Sequence, residues 1–313
     1  MLNKRLQNKI AEGRNTLPVV ALYAFVASLA SGLMEHEQWL SFALLACSAY
    51  LMMELNNSNI LIRIYSRMVS CSFLALMVMC PFLLLSPKGS LVQVCFITFY
   101  LLFFHAYQDR TASAWVFYAF AALGIASLFF VQLLYLVPLL WILMAVNILA
   151  FSGRTFSASV LGLLTPYWFV WAYDFYKGDI TQLSAHFSQL AEFGPLFDFA
   201  QLDSHQMIAF FFVSVLAIMG SVHFLRNSYQ DKIRTRMLYD IFIVVELFAM
   251  LFLILQPCHY DFLIRVMIIN AAPLIGHFLA LTNTKVTNIA FIVILFFTLV
   301  ITAHNLWIPS FTF

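Results

Sequence analysis

The chain has 313 residues, of which 63% are apolar, 10% charged and 17% aromatic, with a mean hydropathy of +0.92 and a formal net charge of +2. Water-soluble domains carry roughly a quarter charged residues, so most of this surface faces lipid. A disordered chain, a disulfide scaffold and a nucleic-acid binder are excluded by the same figures.

The N-terminal segment, residues 1–16, is basic, with Lys4, Arg5, Lys9 and Arg14. Leu2, Leu6 and Ile10 recur at helical spacing, which predicts a helix lying on the inner leaflet rather than a cleaved leader. Apolar runs follow at 17–34, 39–55, 68–85, 91–107, 115–131, 133–150, 157–176, 207–225, 239–256, 266–282 and 287–308. They are continuous over about 17 to 20 residues and do not alternate, as helices crossing a bilayer require. The expectation is an all-α, polytopic transmembrane bundle of about eleven spans in one domain, 17–308, with a short tail at 309–313. Only Gln132 interrupts the apolar stretch from Trp115 to Ala150, which is too long for one crossing, so the fifth and sixth runs are divided there.

Lysine and arginine stay on the cytoplasmic side of short loops. With the N-terminus inside, thirteen of them, among them Arg63, Arg110, Arg154, Arg226, Lys232, Arg234, Arg236 and Lys285, fall on inner segments; Lys88, Lys177 and Arg265 fall outside. The expected topology is N-in, C-out, in a bacterial cytoplasmic membrane. In the longest hydrophilic segment, 177–206, Ile180, Leu183, Phe187, Leu190 and Phe193 recur at three and four residues, and Gly194–Pro195 stops the pattern. This predicts an amphipathic helix on the outer face. The five cysteines show no paired spacing, and no phosphate loop, HExxH or GxSxG is present.

Polar residues within membrane segments are costly, so function is sought there. On the outer side stand Glu35, His36 and Glu37 after the first run, Gln132 at the hinge, Asp174 and Asp179, then His259, Asp261 and Arg265, and finally His304 and Asn305. Carboxylates offer a base or a metal ligand, and arginine suits a phosphate. The inner side holds Glu54, His105, Asp109, Arg110, Asp231 and Asp240; Glu246 and His277 lie deeper, placed to bond across helices.

One block carries a resemblance. Residues 109–174 contain an inner charged pair, LGIASLFF, an outer hinge, LVPLL, an inner arginine and LGLLTPYW. This block, roughly a fifth of the chain, resembles the centre of the GT-C glycosyltransferases, multi-pass enzymes that take sugar from a polyprenyl phosphate, and is similar to an uncharacterised multi-pass family of Bacteroidota. The resemblance implies an acidic base or metal ligand in the first outer loop, where Glu35 and Glu37 stand, with Gln132 where many members have lysine. The first outer loop is shorter than in that family, and no large outer domain follows the last run. The expected function is transfer of a sugar or phospho-sugar at the outer face, with Glu35 or Glu37 as catalytic base. Arg265, aided by His259, Asp261, Gln132 and Asp174 and by a divalent metal, would hold the lipid phosphate. Two further classes stand beside it: a transporter or flippase coupled through Glu246 and His277, and a non-catalytic scaffold for a partner enzyme.

Overall fold

The computed structural model describes residues 5–32, 38–178 and 181–307. Among these every regular element is helical. A short α1 (Leu6–Ala11) leads into α2 (Thr16–Ala30), α3 (Trp39–Asn59), α4 (Met68–Met79), α5 (Pro87–His105), α6 (Ser113–Phe129) and α7 (Val137–Val146). After these come α8 (Gly153–Lys177), the short α9 (Thr181–Ser188), then α10 (Ser204–Asn227), α11 (Ile233–Leu255), α12 (Tyr260–Leu281) and α13 (Lys285–Trp307). Six stretches are long and apolar enough to cross a membrane: Trp39–Asn59, Pro87–His105, Ser204–Gln230, Ile233–Leu255, Pro257–Leu281 and Lys285–Trp307. Four shorter apolar helices accompany them, and the protein is a multi-pass membrane protein by this architecture.

Local chemistry sets the boundaries. Ser86 caps α5 by accepting from the Gly89 amide, and Pro87 occupies the first position, where a missing N–H costs nothing. Ser152 and Thr155 form a reciprocal cap on α8, which ends at Gly178 in the left-handed region (φ 76°). A 3₁₀ turn over Val131–Leu136 separates α6 from α7, so the break falls on Gln132 as its isolation in the apolar stretch predicts.

The centre of the bundle is α12, buried along nearly its whole length against α4, α5, α10 and α11. A helix apolar on every side belongs inside. Small residues bring the helices close: a Cβ on Gly276 would sit 3.0 Å from the Val69 amide nitrogen, and one on Gly162 would strike the Phe117 carbonyl. The rings of Phe96, Phe99, Tyr100, Phe103 and Phe104 on α5 mesh with Phe120 and Phe242 as edge and tilted pairs.

Two expectations are modified. In α1 the buried side chains are Gln7 and Ala11, while Leu6 is exposed. Gln7 Nε2 donates to the Leu279 carbonyl and to Thr282 Oγ1, both at 2.7 Å, because the last carbonyls of α12 have no partner within their own helix. The amphipathic pattern after α8 yields only the eight residues of α9, and the segment beyond it folds onto neighbouring helices. Phe187 packs on Tyr167, Phe193 stacks on Tyr135, and the Tyr135 hydroxyl donates to the Leu190 carbonyl.

Candidate functional site

The residues expected to act at the outer end fall into separate environments. Glu35 and Glu37 lie outside the described residues. Arg265, on the first turns of α12, is enclosed: Nη1 donates to Ser90 Oγ and Gln93 Oε1, both at 3.3 Å, and Nη2 to the Leu83 carbonyl and Asp261 Oδ1. Only 1% of the Arg265 side chain is exposed, and its neighbours all come from the chain itself. His259 is wedged between Phe130 and Phe252, and Gln132 borders a gap of about 10 Å³. Asp174 is buried near the end of α8, with Oδ2 unbonded among the described residues.

The deep carboxylate and imidazole do not meet. Both oxygens of Glu246 are buried without a hydrogen bond among the described residues, near a Tyr100 hydroxyl that donates instead to Asn270 Oδ1 at 2.6 Å. His277 turns to the chain reversal between α10 and α11, where its Nε2 lies 3.0 Å from Asp231 Oδ2. Both side chains are buried. Asp231 is drawn inward because the 3₁₀ turn Ser228–Gln230 redirects the chain before α11 starts.

This pair belongs to a polar cavity of about 320 Å³ at the end where the basic residues gather. Arg63, in the α3–α4 connection, reaches over it. Its Nη2 donates to Gln230 Oε1 at 2.8 Å and its Nη1 to the Gln230 carbonyl at 3.2 Å, with Asp231 Oδ1 at 3.8 Å. The Arg63 side chain is 42% exposed, so the guanidinium is held in place yet open on one side. Asn227 Nδ2 donates to His223 Nδ1 at 3.1 Å, which leaves the hydrogen of the neutral ring on Nε2. The His223 and His277 rings are 5.9 Å apart, and Phe224 and Tyr239 pack edge-on against His277.

The arrangement has definite chemistry. Asp231 accepts only, so it places the hydrogen of His277 on Nε2 and leaves Nδ1 as an acceptor; that atom is buried and has no partner among the described residues. A carboxylate orienting one imidazole, a second imidazole beside it with Nε2–H free to donate and a fixed guanidinium together suit an anionic group that accepts hydrogen bonds. The sequence names Asp231 and His277 only as polar residues on different segments, 46 positions apart. Nothing in its spacing joins them to Arg63 or His223. Among the described residues no three His, Cys, Asp or Glu side chains gather as a metal site.

Fold and site together define a multi-pass helical membrane protein with a polar cavity at one end. Comparison with protein-family models, with curated proteins and with solved structures found no match.

Proposed function

We propose that this protein takes the phosphate-bearing head of a substrate into the cavity at its basic end, where Arg63 holds the anion and His223 donates a hydrogen bond to it from Nε2. The observation that carries this reading is His223, its Nδ1 taken by Asn227 and its Nε2–H left to donate, beside a half-open Arg63. Arg63 supplies the charge that holds the anion, His223 presents Nε2, and Asp231 keeps His277 in one tautomer.

Calorimetry with inorganic phosphate on the purified protein tests it. Arg63→Gln removes a charge-assisted bond worth ~1.5–3 kcal/mol and should weaken binding by about ten- to a hundredfold. His223→Phe, which keeps a ring and removes the Nε2–H donor, should weaken binding by about tenfold or more, the loss of one hydrogen bond to a charged acceptor. Failure of the unaltered protein to bind phosphate, or equal affinity in Arg63→Gln, overturns the reading.

Sugar transfer from a polyprenyl-phosphate donor at the opposite end, in a bacterial cytoplasmic membrane, is a separate proposal that rests on the resemblance of residues 109–174. Asp174, buried with a free carboxylate oxygen among the described residues, is the feature that favours it. Glu35→Gln and Glu37→Gln should each be assayed with a polyprenyl donor, and loss of a general base lowers the rate by about 10² or more. Full transfer in both variants removes these glutamates from the mechanism.

A further inference from the structure

A second cavity, of about 440 Å³, opens between α2, α4, α12 and α13 beneath α1. Its walls are apolar, with Val20, Leu76, Leu216, Ile275, Phe291 and Ile294 along them, whereas Lys9, Asn15 and Thr16 stand at its mouth. It shares no lining residue with the polar cavity, and the docked α1, held by Gln7 on the end of α12, lies at its rim. That rim is fixed on a second side, where Ser66 Oγ donates to the Ala11 carbonyl at 2.8 Å.

We propose that this groove holds one acyl chain of an anionic phospholipid, with the lipid phosphate against Lys9. Two observations select that occupant. The first is depth: α4 lines the groove from Met68 to Leu76. At 1.5 Å per residue this is about 12 Å, close to the ~15 Å of hydrocarbon in one leaflet. An acyl tail whose head lies at the basic end therefore reaches the floor. The second is charge. Lys9 is exposed at the mouth with no ion pair among the described residues. An apolar molecule without a head group would leave this cation unanswered, and a zwitterionic lipid would answer it only in part. The inference stands apart from the phosphate-binding reading of the other cavity, since neither Arg63 nor His223 lines this groove.

The test uses detergent-solubilised protein titrated with phosphatidylglycerol or with phosphatidylcholine of the same acyl chains, and native mass spectrometry counts the bound lipid. The unaltered protein should retain one phosphatidylglycerol and bind it more tightly than phosphatidylcholine. Lys9→Gln should cut that preference by about fivefold, the size expected for one surface lysine near an anionic head group, while phosphatidylcholine binding stays as it was. Ala75→Phe, which fills the groove, should abolish retention of both lipids. Lys9→Gln lies on the surface, so its result holds even where Ala75→Phe fails to fold. No retained lipid, equal affinity for the two lipids, or an unchanged preference in Lys9→Gln overturns the proposal.

Discussion

Arg265 is among the largest side chains the fold encloses, and its surroundings define what it does. A Cβ on Gly89 would lie 2.6 Å from Arg265 Nε and from Asp261 Oδ2, so glycine at that position is what lets the guanidinium fit. Removing the guanidinium leaves Gln93 Oε1 buried without its donor, and a buried polar group left unpaired costs ~1–3 kcal/mol, while the Leu83 carbonyl and Ser90 Oγ keep their bonds to the Ser86 amide and carbonyl. Arg265→Gln should therefore lower the thermal unfolding midpoint. Arg265→Lys should do the same in smaller measure, since one ammonium cannot reach the same set of acceptors. If Arg265 serves a lipid phosphate instead, Arg265→Lys keeps its melting point and loses donor affinity, and the two measurements separate the roles. Asp109, in the connection before α6, shows the same logic in water. Hydrogen bonds from the Thr111 hydroxyl at 2.6 Å and the Thr111 amide at 2.8 Å hold its carboxylate below the usual range. The folded value is the lower one, so the turn is at full strength above ~pH 3.9 and weakens as pH falls through the folded value. The protection factor of the Thr111 amide, its exchange rate corrected for the intrinsic pH dependence, should fall over that acidic interval, and in Asp109→Asn it should be low at every pH.

At the scale of elements, two contacts are accessible to substitution. The crossing of α6 and α8 depends on paired glycines: a Cβ on Gly124 would meet the Leu163 carbonyl at 2.7 Å, and Gly162 faces the Phe117 backbone. Gly162→Val forces the two helices apart, and overpacking of this kind costs ~1–3 kcal/mol. Unfolding in a denaturant series should show that loss, while Gly153→Ala, whose Cβ meets nothing within 4 Å, should leave the α8 start unharmed. The docking of α1 depends on Gln7. Its amide serves carbonyl and hydroxyl acceptors at the end of α12, and each such bond contributes ~0.5–1.5 kcal/mol. Gln7→Ala should expose Lys9 and Arg14 to faster tryptic cleavage without changing the overall melt. Equal cleavage rates would mean that Ser66 and the apolar contacts of α1 hold it unaided. The hydrophobic spacing of Leu6 and Ile10 describes a helix on a membrane surface; the inward side instead turns Gln7 towards α12, beside Ala11 and Ile10, because unsatisfied carbonyls at the end of α12 need a donor.

Across the whole molecule, the basic side chains of successive connections converge on one end, where Arg63 meets Gln230, Arg234 Nη2 donates to Asn59 Oδ1 at 2.9 Å, and Ser152 donates to the Arg110 carbonyl. Under the eleven-span topology this end is cytoplasmic. In a background with the five native cysteines replaced, Lys88→Cys and Glu192→Cys should react with an impermeant thiol reagent added outside. Arg154→Cys and Lys285→Cys should react only after permeabilisation. Outside labelling at 154 or 285, or protection at 88 and 192, would overturn that topology. All four positions are exposed in the fold, so a protected site reports the membrane and not burial.

By itself the sequence determined the class of the protein and the order of its helices. Apolar length and charge position are local properties that a bilayer reads directly, so the breaks at Gln132 and Gly178 fall where composition changes. It also singled out Arg265 and Asp174 as polar residues at the outer ends of apolar runs and His277 as one lying deeper. Only the tertiary structure decided what each of them faces. Arg265 meets Asp261 and the end of α5, and Glu246 meets no partner among the described residues. His277 finds Asp231 because the turn after α10 folds back beneath α12. The physical reason is that helix formation in lipid satisfies the backbone within each segment, whereas the pairing of side chains depends on the rotation and closeness of helices far apart in the chain. Those are set by small residues such as Gly89, Gly162 and Gly276 and by packing along α12, whose effect no local pattern records.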